Sequence, residues 1–160
     1  MNQQSLHKTF RVLSSVALST IALFLLASTL SAGENGTRQC SNATLKGSYG
    51  LYHDGTVIGV GPTAVIAIFT YDGEGNLTGT GTSKVNGNVT HFTLIGTYTV
   101  NEDCNVSDAV VFPSGATATH EYVIVDNGKE FFFLNTTPGT ATTGNVSVGV
   151  GKKQFRRGDD

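Results

Sequence analysis

The sequence predicts an all-β protein, a single eight-stranded antiparallel up-and-down β-barrel. From residue 64 to 153, turn-forming residues recur every 12 to 15 positions and separate segments rich in Val, Ile, Thr, Phe and Tyr. After residue 40 no stretch keeps a 3.6-residue periodicity, and Gly and Thr are too frequent for long helices. The chain therefore alternates between extended segments and tight turns.

The turns explain why the strands form a barrel. Their residues tolerate a positive φ or preset a turn, so that consecutive segments fold back as hairpins. They are Asp72-Gly73-Glu74-Gly75, Asn86-Gly87, Asn101-Glu102-Asp103, Pro113-Ser114-Gly115, Asp126-Asn127-Gly128 and Pro138-Gly139. A meander of eight strands exposes two edges, and closure removes both. A two-sheet β-sandwich is the alternative architecture.

The first element, residues 1–32, is expected to be an export signal. Lys8 and Arg11 make its start positive, residues 12–30 carry no charge, and Ala32 offers a small residue before a cut at about Gly33. Six Ser and Thr residues dilute the apolar run, which argues against an uncleaved membrane anchor. We therefore expect a secreted or periplasmic protein with no stable membrane anchoring after signal cleavage.

The mature chain has a mildly acidic balance. Without Lys8 and Arg11 it keeps 8 basic and 12 acidic residues, a net charge of −4. This charge gives no electrostatic reason to expect a nucleic-acid partner. The length suits one domain. We expect no cofactor, and the sequence leaves the oligomeric state open.

The N-terminal segment, residues 33–45, contains one of two cysteines. In an exported protein, Cys40 and Cys104 predict a disulfide. It would fasten this segment to the turn after the fourth strand. A metal site or a reactive thiol is disfavoured, because the chain has no C-x-x-C motif and no His close to either cysteine.

The barrel domain is expected at residues 46–153, followed by a flexible charged tail at 154–160. A short helical turn at 41–45 is compatible with the sequence before it. In the fourth strand Phe92, Leu94 and Tyr98 share one face, and in the seventh both faces are apolar. The eight candidate strands are 46–53, 63–72, 76–85, 88–100, 105–112, 116–126, 129–136 and 141–153.

Several motifs resemble a group of small exported bacterial proteins. They are Cys40 to Gly50, the Asp72 to Gly75 turn, the string Gly96 to Cys104, the hairpin Val125 to Glu130, and Gly151 to Gln154. The domain of these proteins is similar to the allene oxide cyclase barrel, an eight-stranded relative of the lipocalin-type (calycin) barrels. The resemblance implies a barrel and, in the cyclases, a lumen that holds an oxidised fatty acid beside a carboxylate. No catalytic residue is transferred, because residues 46–52 contain no carboxylate.

Candidate ligand contacts are the polar tips that the barrel could turn inward. His120 and Tyr122 share a face with Ala118 and Ile124, which is the arrangement of a small-ligand site if that face is the lumen. Tyr49 and Tyr98 are candidates on the same reasoning, with core packing as the alternative. His53, His91 and His120 lie on separate strands, so we predict no metal site.

Three function hypotheses follow. The leading hypothesis is non-catalytic binding of a small apolar or amphipathic molecule in the barrel lumen, since no catalytic constellation is visible. The first alternative is a cyclase or isomerase, which needs an ionisable side chain in an open cavity. The second alternative is a surface or matrix interaction module with a filled barrel.

Overall fold

The protein forms a closed antiparallel β-barrel. The computed structural model describes residues 39–155, so the predicted export signal and residues 156–160 of the predicted tail lie outside the described residues. Each strand pairs with its neighbours in sequence, and β8 pairs with β1. The strands are β1 Gly47–Val57, β2 Gly61–Tyr71, β3 Asn76–Val85, β4 Asn88–Val100, β5 Asn105–Val111, β6 Thr117–Val125, β7 Glu130–Asn135 and β8 Asn145–Lys153. The predicted fold class is confirmed, and the sandwich alternative is wrong.

Side-chain alternation divides each strand between the interior and the solvent. In β5 the interior positions are Val106, Asp108 and Val110, and the residues between them are exposed. In β7 Phe131 and Phe133 are buried, whereas Phe132 and Leu134 are exposed. The prediction that β7 is apolar on both faces is therefore confirmed.

One end of the barrel is closed by aromatic side chains. The ring of Tyr71 contacts the rings of Tyr49 and Tyr98 edge to face, with centroids 5.4 and 5.1 Å away. Phe131 stacks on Tyr122 at 4.9 Å. Such edge and offset contacts are the favoured aromatic geometries. This half of the interior is therefore solid.

The N-terminal segment covers the closed end. It forms a 3₁₀ turn at Asn42–Leu45, within the predicted helical turn, and Leu45 is fully buried. The Asn42 side chain accepts a hydrogen bond from the backbone N–H of Val100 at 2.8 Å. The Cys40–Cys104 disulfide is present, with Cα atoms 5.0 Å apart, and confirms the predicted pairing.

The remaining helical element is a 3₁₀ turn at Asp126–Gly128, between β6 and β7. Within residues 39–155 neither 3₁₀ turn has the length and apolar character needed to cross a membrane.

The turn between β2 and β3 is built on one carboxylate. Asp72 Oδ1 accepts hydrogen bonds from the backbone N–H groups of Glu74, Gly75 and Asn76 at 2.7 to 3.0 Å. Together with the Asn76 side chain, which is the largest influence, these bonds lower the pKa of Asp72 to about 2. Asp72 therefore stabilises the hairpin turn by accepting these hydrogen bonds.

Candidate functional site

The barrel is hollow at the end opposite the disulfide. A cavity of about 960 Å³ occupies this half, and most of its wall is apolar. Pro113, Ser114 and Thr117 line the cavity and are also exposed, so it opens to solvent at this end. The apolar wall includes Leu51, Val65, Ala67, Phe69, Leu94 and Val110. A filled barrel, which the interaction-module hypothesis requires, is not observed in this half.

A chain of hydrogen-bonded polar side chains, three of which line the cavity, lies at one of its walls; we call it the lumen network. Its members are Tyr71, Tyr122, Asp108, His120 and Asn135. Tyr71 donates to the Tyr122 hydroxyl at 3.4 Å, and Tyr122 donates to Asp108 Oδ2. His120 Nδ1 lies 2.8 Å from Asp108 Oδ1. Both oxygens of the carboxylate therefore accept a hydrogen bond.

The far end of the network fixes the tautomer of His120. The backbone N–H of Thr137 donates to Asn135 Oδ1 at 3.2 Å, which orients the amide so that Nδ2 faces His120 Nε2 at 3.3 Å. Since Nδ2 is a donor, Nε2 is the acceptor nitrogen and Nδ1 carries the proton donated to Asp108.

Burial determines the charges in the network. The Asp108 side chain has no exposed surface, and that of His120 is 12% exposed. Burial raises the pKa values of Tyr71 and Tyr122 well above that of a free phenol, so both hydroxyls keep their protons at neutral pH. Asp108 therefore accepts a hydrogen bond from the neutral phenol of Tyr122 on one side and lies against the imidazole of His120 on the other.

A second histidine lies on the neighbouring wall. The ring of Phe133 contacts both histidines, 5.5 Å from His53 and 5.7 Å from His120. Burial, and then the proximity of His120, lowers the pKa of His53 to about 4. His53 is thus neutral at pH 7.

Three buried polar atoms on β1 and β8 have no hydrogen-bond partner among the described residues. They are His53 Nδ1, Asn145 Oδ1 and Ser147 Oγ. Their residues share the inner face of the paired strands, where His53 is opposite Gly149 and Ser147 is opposite Gly55. A buried polar atom without a hydrogen bond reduces the stability of the folded protein by about 1–3 kcal/mol. A bound molecule with a polar group could restore the missing hydrogen bonds, so these atoms indicate a binding site.

The structure divides the four predicted ligand contacts into two pairs. His120 and Tyr122 line the cavity, as expected if their face is the lumen. Tyr49 and Tyr98 belong to the closed end and do not line it. Tyr49 donates to the carbonyl oxygen of Gly128, and burial raises its pKa to about 12. Tyr98 donates to the carbonyl oxygen of Asn42 at 3.0 Å.

Sequence reasoning missed Asp108, Asn135 and the inward orientation of His53. The signal for Asp108 was present, because it alternates with Val106 and Val110 on one face of β5. His53 likewise alternates with the buried Leu51.

His91 also lines the cavity, from an exposed position on β4 where its Nδ1 lies 2.9 Å from the Thr82 hydroxyl. Asp54 lies on β1, which extends to Val57 and is longer than expected, but its side chain is exposed. Within residues 39–155 no three His, Cys, Asp or Glu side chains converge in an arrangement that could hold a metal ion.

Comparison with known proteins gives structural neighbours alone. No family model and no curated protein matches the chain. The redesigned β-barrel mFAP1, solved bound to DFHBI, is similar at 14% identity with a TM-score of 0.51, covering 70% of this chain and 97% of that one. EF1p2_mFAP2b, also bound to DFHBI, is similar at 12% identity and a TM-score of 0.51, covering 69% and 94%. Rv2717c from M. tuberculosis is 16% identical, with a TM-score of 0.40, covering 70% and 94%. At these identities, the likeness to the first two shows that the chain has a β-barrel fold and nothing about its activity.

Proposed function

We propose that this protein binds a small, mostly apolar or amphipathic molecule in the barrel lumen and does not convert it. The observation that carries the proposal is the open cavity of about 960 Å³, whose wall is apolar except for a few convergent polar groups. Small-molecule sites have this composition and typically measure about 300–1,000 Å³.

A location outside the cytoplasm is part of the proposal. The Cys40–Cys104 disulfide supports it, because cytosolic thiols are usually kept reduced. The predicted export signal is consistent with it.

One further argument is an analogy of fold. The two barrels with a TM-score of 0.51 were solved with DFHBI bound, which supports a small-molecule function for a barrel of this kind. Membership of the group with allene oxide cyclase-like domains stays a prediction.

The test is capture of a ligand by the purified, disulfide-bonded protein. It is incubated with cell extracts, re-purified, and its bound molecules are identified by mass spectrometry. The variant Ala118→Phe places a ring in the cavity and should abolish capture. The control Ala109→Phe adds the same ring on the exposed face of β5 and should capture as the parent does. Equal capture by both variants would contradict a lumen site.

A second candidate, an isomerase or cyclase, is favoured by one observation. His120 lines the cavity with an acceptor Nε2, and its Nδ1 proton is held by Asp108. Such a pair can take a proton from one carbon of a bound molecule and return it to another, with no co-reactant.

The candidates differ in what the variant His120→Gln captures. Binding alone predicts that parent and variant capture the same molecule from an extract. An isomerase predicts that the variant holds an isomer of equal mass and different chromatographic retention.

A further inference from the structure

We propose that the lumen selects uncharged amphipathic molecules that carry a hydroxyl group and discriminates against carboxylates. This inference rests on the proposed function, since it specifies which molecules bind there. It is carried by the charges and the hydrogen-bonding groups of the cavity wall.

In the part of the chain that the structure describes, the cavity wall offers an anion no lysine or arginine partner. Residues 39–155 contain no arginine, and their lysines are exposed and do not line the cavity: Lys46, Lys84, Lys129, Lys152 and Lys153. The network's single carboxylate, Asp108, is fully buried directly behind His120 and Tyr122. A carboxylate ligand would therefore lose its hydration without gaining a lysine or arginine partner, and it would lie near the buried carboxyl group of Asp108.

Three histidines line the cavity, His53, His91 and His120, and a histidine is not a permanent cation as lysine and arginine are. The pKa of His53 is lowered to about 4, so this residue is neutral at pH 7. In His120 the Nδ1 atom lies 2.8 Å from Asp108 Oδ1, so this ring is already paired with a carboxyl group of the protein.

The polar atoms that remain available to a ligand include acceptors suited to a hydroxyl. The Asn135 bond to His120 Nε2 is long, at 3.3 Å, and a ligand hydroxyl could replace it. Asn145 Oδ1 has no partner among the described residues, and Asn145 lines the cavity. A hydroxyl can donate to one of these atoms without bringing charge into the lumen.

A matched set of fluorescent probes separates this inference from the proposed function. Pyrene, 1-pyrenemethanol and 1-pyrenecarboxylate share one ring system and differ in the polar group. Fluorescence titration of the disulfide-bonded protein at pH 7 should give a Kd for the alcohol at least tenfold below that of the carboxylate. Equal or tighter binding of the carboxylate overturns the inference and leaves the proposed function standing. If none of the three probes binds, the proposed function fails and the inference fails with it.

Two variants test the cause of the selectivity. Asp108→Asn removes the charge at constant shape and should reduce the tenfold gap to less than threefold. Val85→Lys places an ammonium group on the cavity wall without altering the lumen network, and should tighten carboxylate binding at least tenfold. Its control, Val89→Lys, adds the same charge at an exposed position of β4 and should leave the gap unchanged. A gap that persists in both Asp108→Asn and Val85→Lys would overturn the electrostatic explanation.

Discussion

Asp108 is the residue on which the polar side of the lumen is built. Its carboxylate lies among apolar side chains, and burial of such a group is unfavourable unless its oxygens are hydrogen-bonded. Tyr122 and His120 provide one donor each, and they reach it from the adjacent strand β6. Asp108 is opposite His120 in the β5–β6 register, so the network depends on strand pairing.

The hydroxyl of Tyr122 should therefore contribute measurably to stability. Tyr122→Phe removes one of two donors to a buried carboxylate, and we expect it to reduce the free energy of unfolding by about 2 kcal/mol. The matched control is Tyr71→Phe, whose lost hydroxyl bonds to Tyr122 alone, at 3.4 Å, and should matter by less than about 1 kcal/mol. Urea unfolding at pH 7 measures both. A larger effect at Tyr71 would contradict the assignment of donors.

His53 makes the stability of the barrel depend on pH. Its pKa of about 4 in the folded protein lies below the value of about 6.5 in an unfolded chain. Between these values the unfolded state binds more protons, so this residue's contribution to stability falls as the pH drops from 6.5 to 4. NMR titration of the histidine ring protons should show one histidine with a midpoint near pH 4.

The control for that titration is His53→Phe, in which this midpoint should disappear and the loss of stability between pH 6.5 and 4 should become smaller. A His53 midpoint near 6.5 would show that the ring is solvated.

At this scale two of the four predicted ligand contacts, His120 and Tyr122, line the cavity. Side-chain alternation along β6 correctly predicted that His120 and Tyr122 share a face. The same rule applied to β5 would have placed Asp108 on the inner face with Val106 and Val110. It could not exclude Tyr49 and Tyr98, because alternation assigns a side chain to a face but not to a depth in the barrel. Depth follows from the register and from the N-terminal segment that fills one end, and both are tertiary properties.

Pairs of glycine and aromatic residues shape the strands. Phe131 is opposite Gly151 and Phe133 is opposite Gly149 in the β7–β8 register, so each ring lies over a position that has no side chain. A Cβ at Gly149 would overlap His53 and lie 2.6 Å from Phe133. These glycines provide space for the rings.

Replacement of a strand glycine by alanine should reduce stability most where the new methyl group has the least room. Gly149→Ala forces a methyl group against the backbone of Tyr52 and the ring of Phe133, and we expect a loss of about 1–3 kcal/mol in the free energy of unfolding. The matched control is Gly50→Ala, where the nearest atom to a new Cβ is 3.9 Å away. Denaturant unfolding compares the two variants. A Gly50→Ala variant as unstable as Gly149→Ala would contradict the packing explanation.

Strand limits were predictable where a turn motif marks both ends. The predicted segments 76–85 and 88–100 agree with β3 and β4. The turns Asp72 to Gly75, Asn86-Gly87 and Asn101 to Asp103 mark their ends. The end of β1 at Val57 could not be predicted in the same way. Asp54 and Gly55 are residues typical of a turn, but here they pair with both β2 and β8. Pairing on two sides outweighs local turn preference.

The two ends of the barrel differ in structure: one is packed and the other is hollow. The closed end is filled by aromatic side chains, covered by Asn42–Leu45 and fastened by the disulfide. The opposite end contains the cavity and the connection from β7 to β8, residues 136–144. The disulfide can therefore be removed without changing a residue of the cavity wall.

The disulfide is the clearest test of this division. The double variant Cys40→Ser/Cys104→Ser removes a cross-link between residues 64 positions apart. The chain-entropy relation assigns such a loop about 4 kcal/mol, which is the largest loss of unfolding free energy that we expect. Because the cavity lies at the other end, the variant should keep its β-rich circular dichroism spectrum and its affinity for 1-pyrenemethanol within about threefold. Loss of the probe at temperatures where the barrel remains folded would mean that the N-terminal segment shapes the cavity, and the separation of the two ends would be wrong.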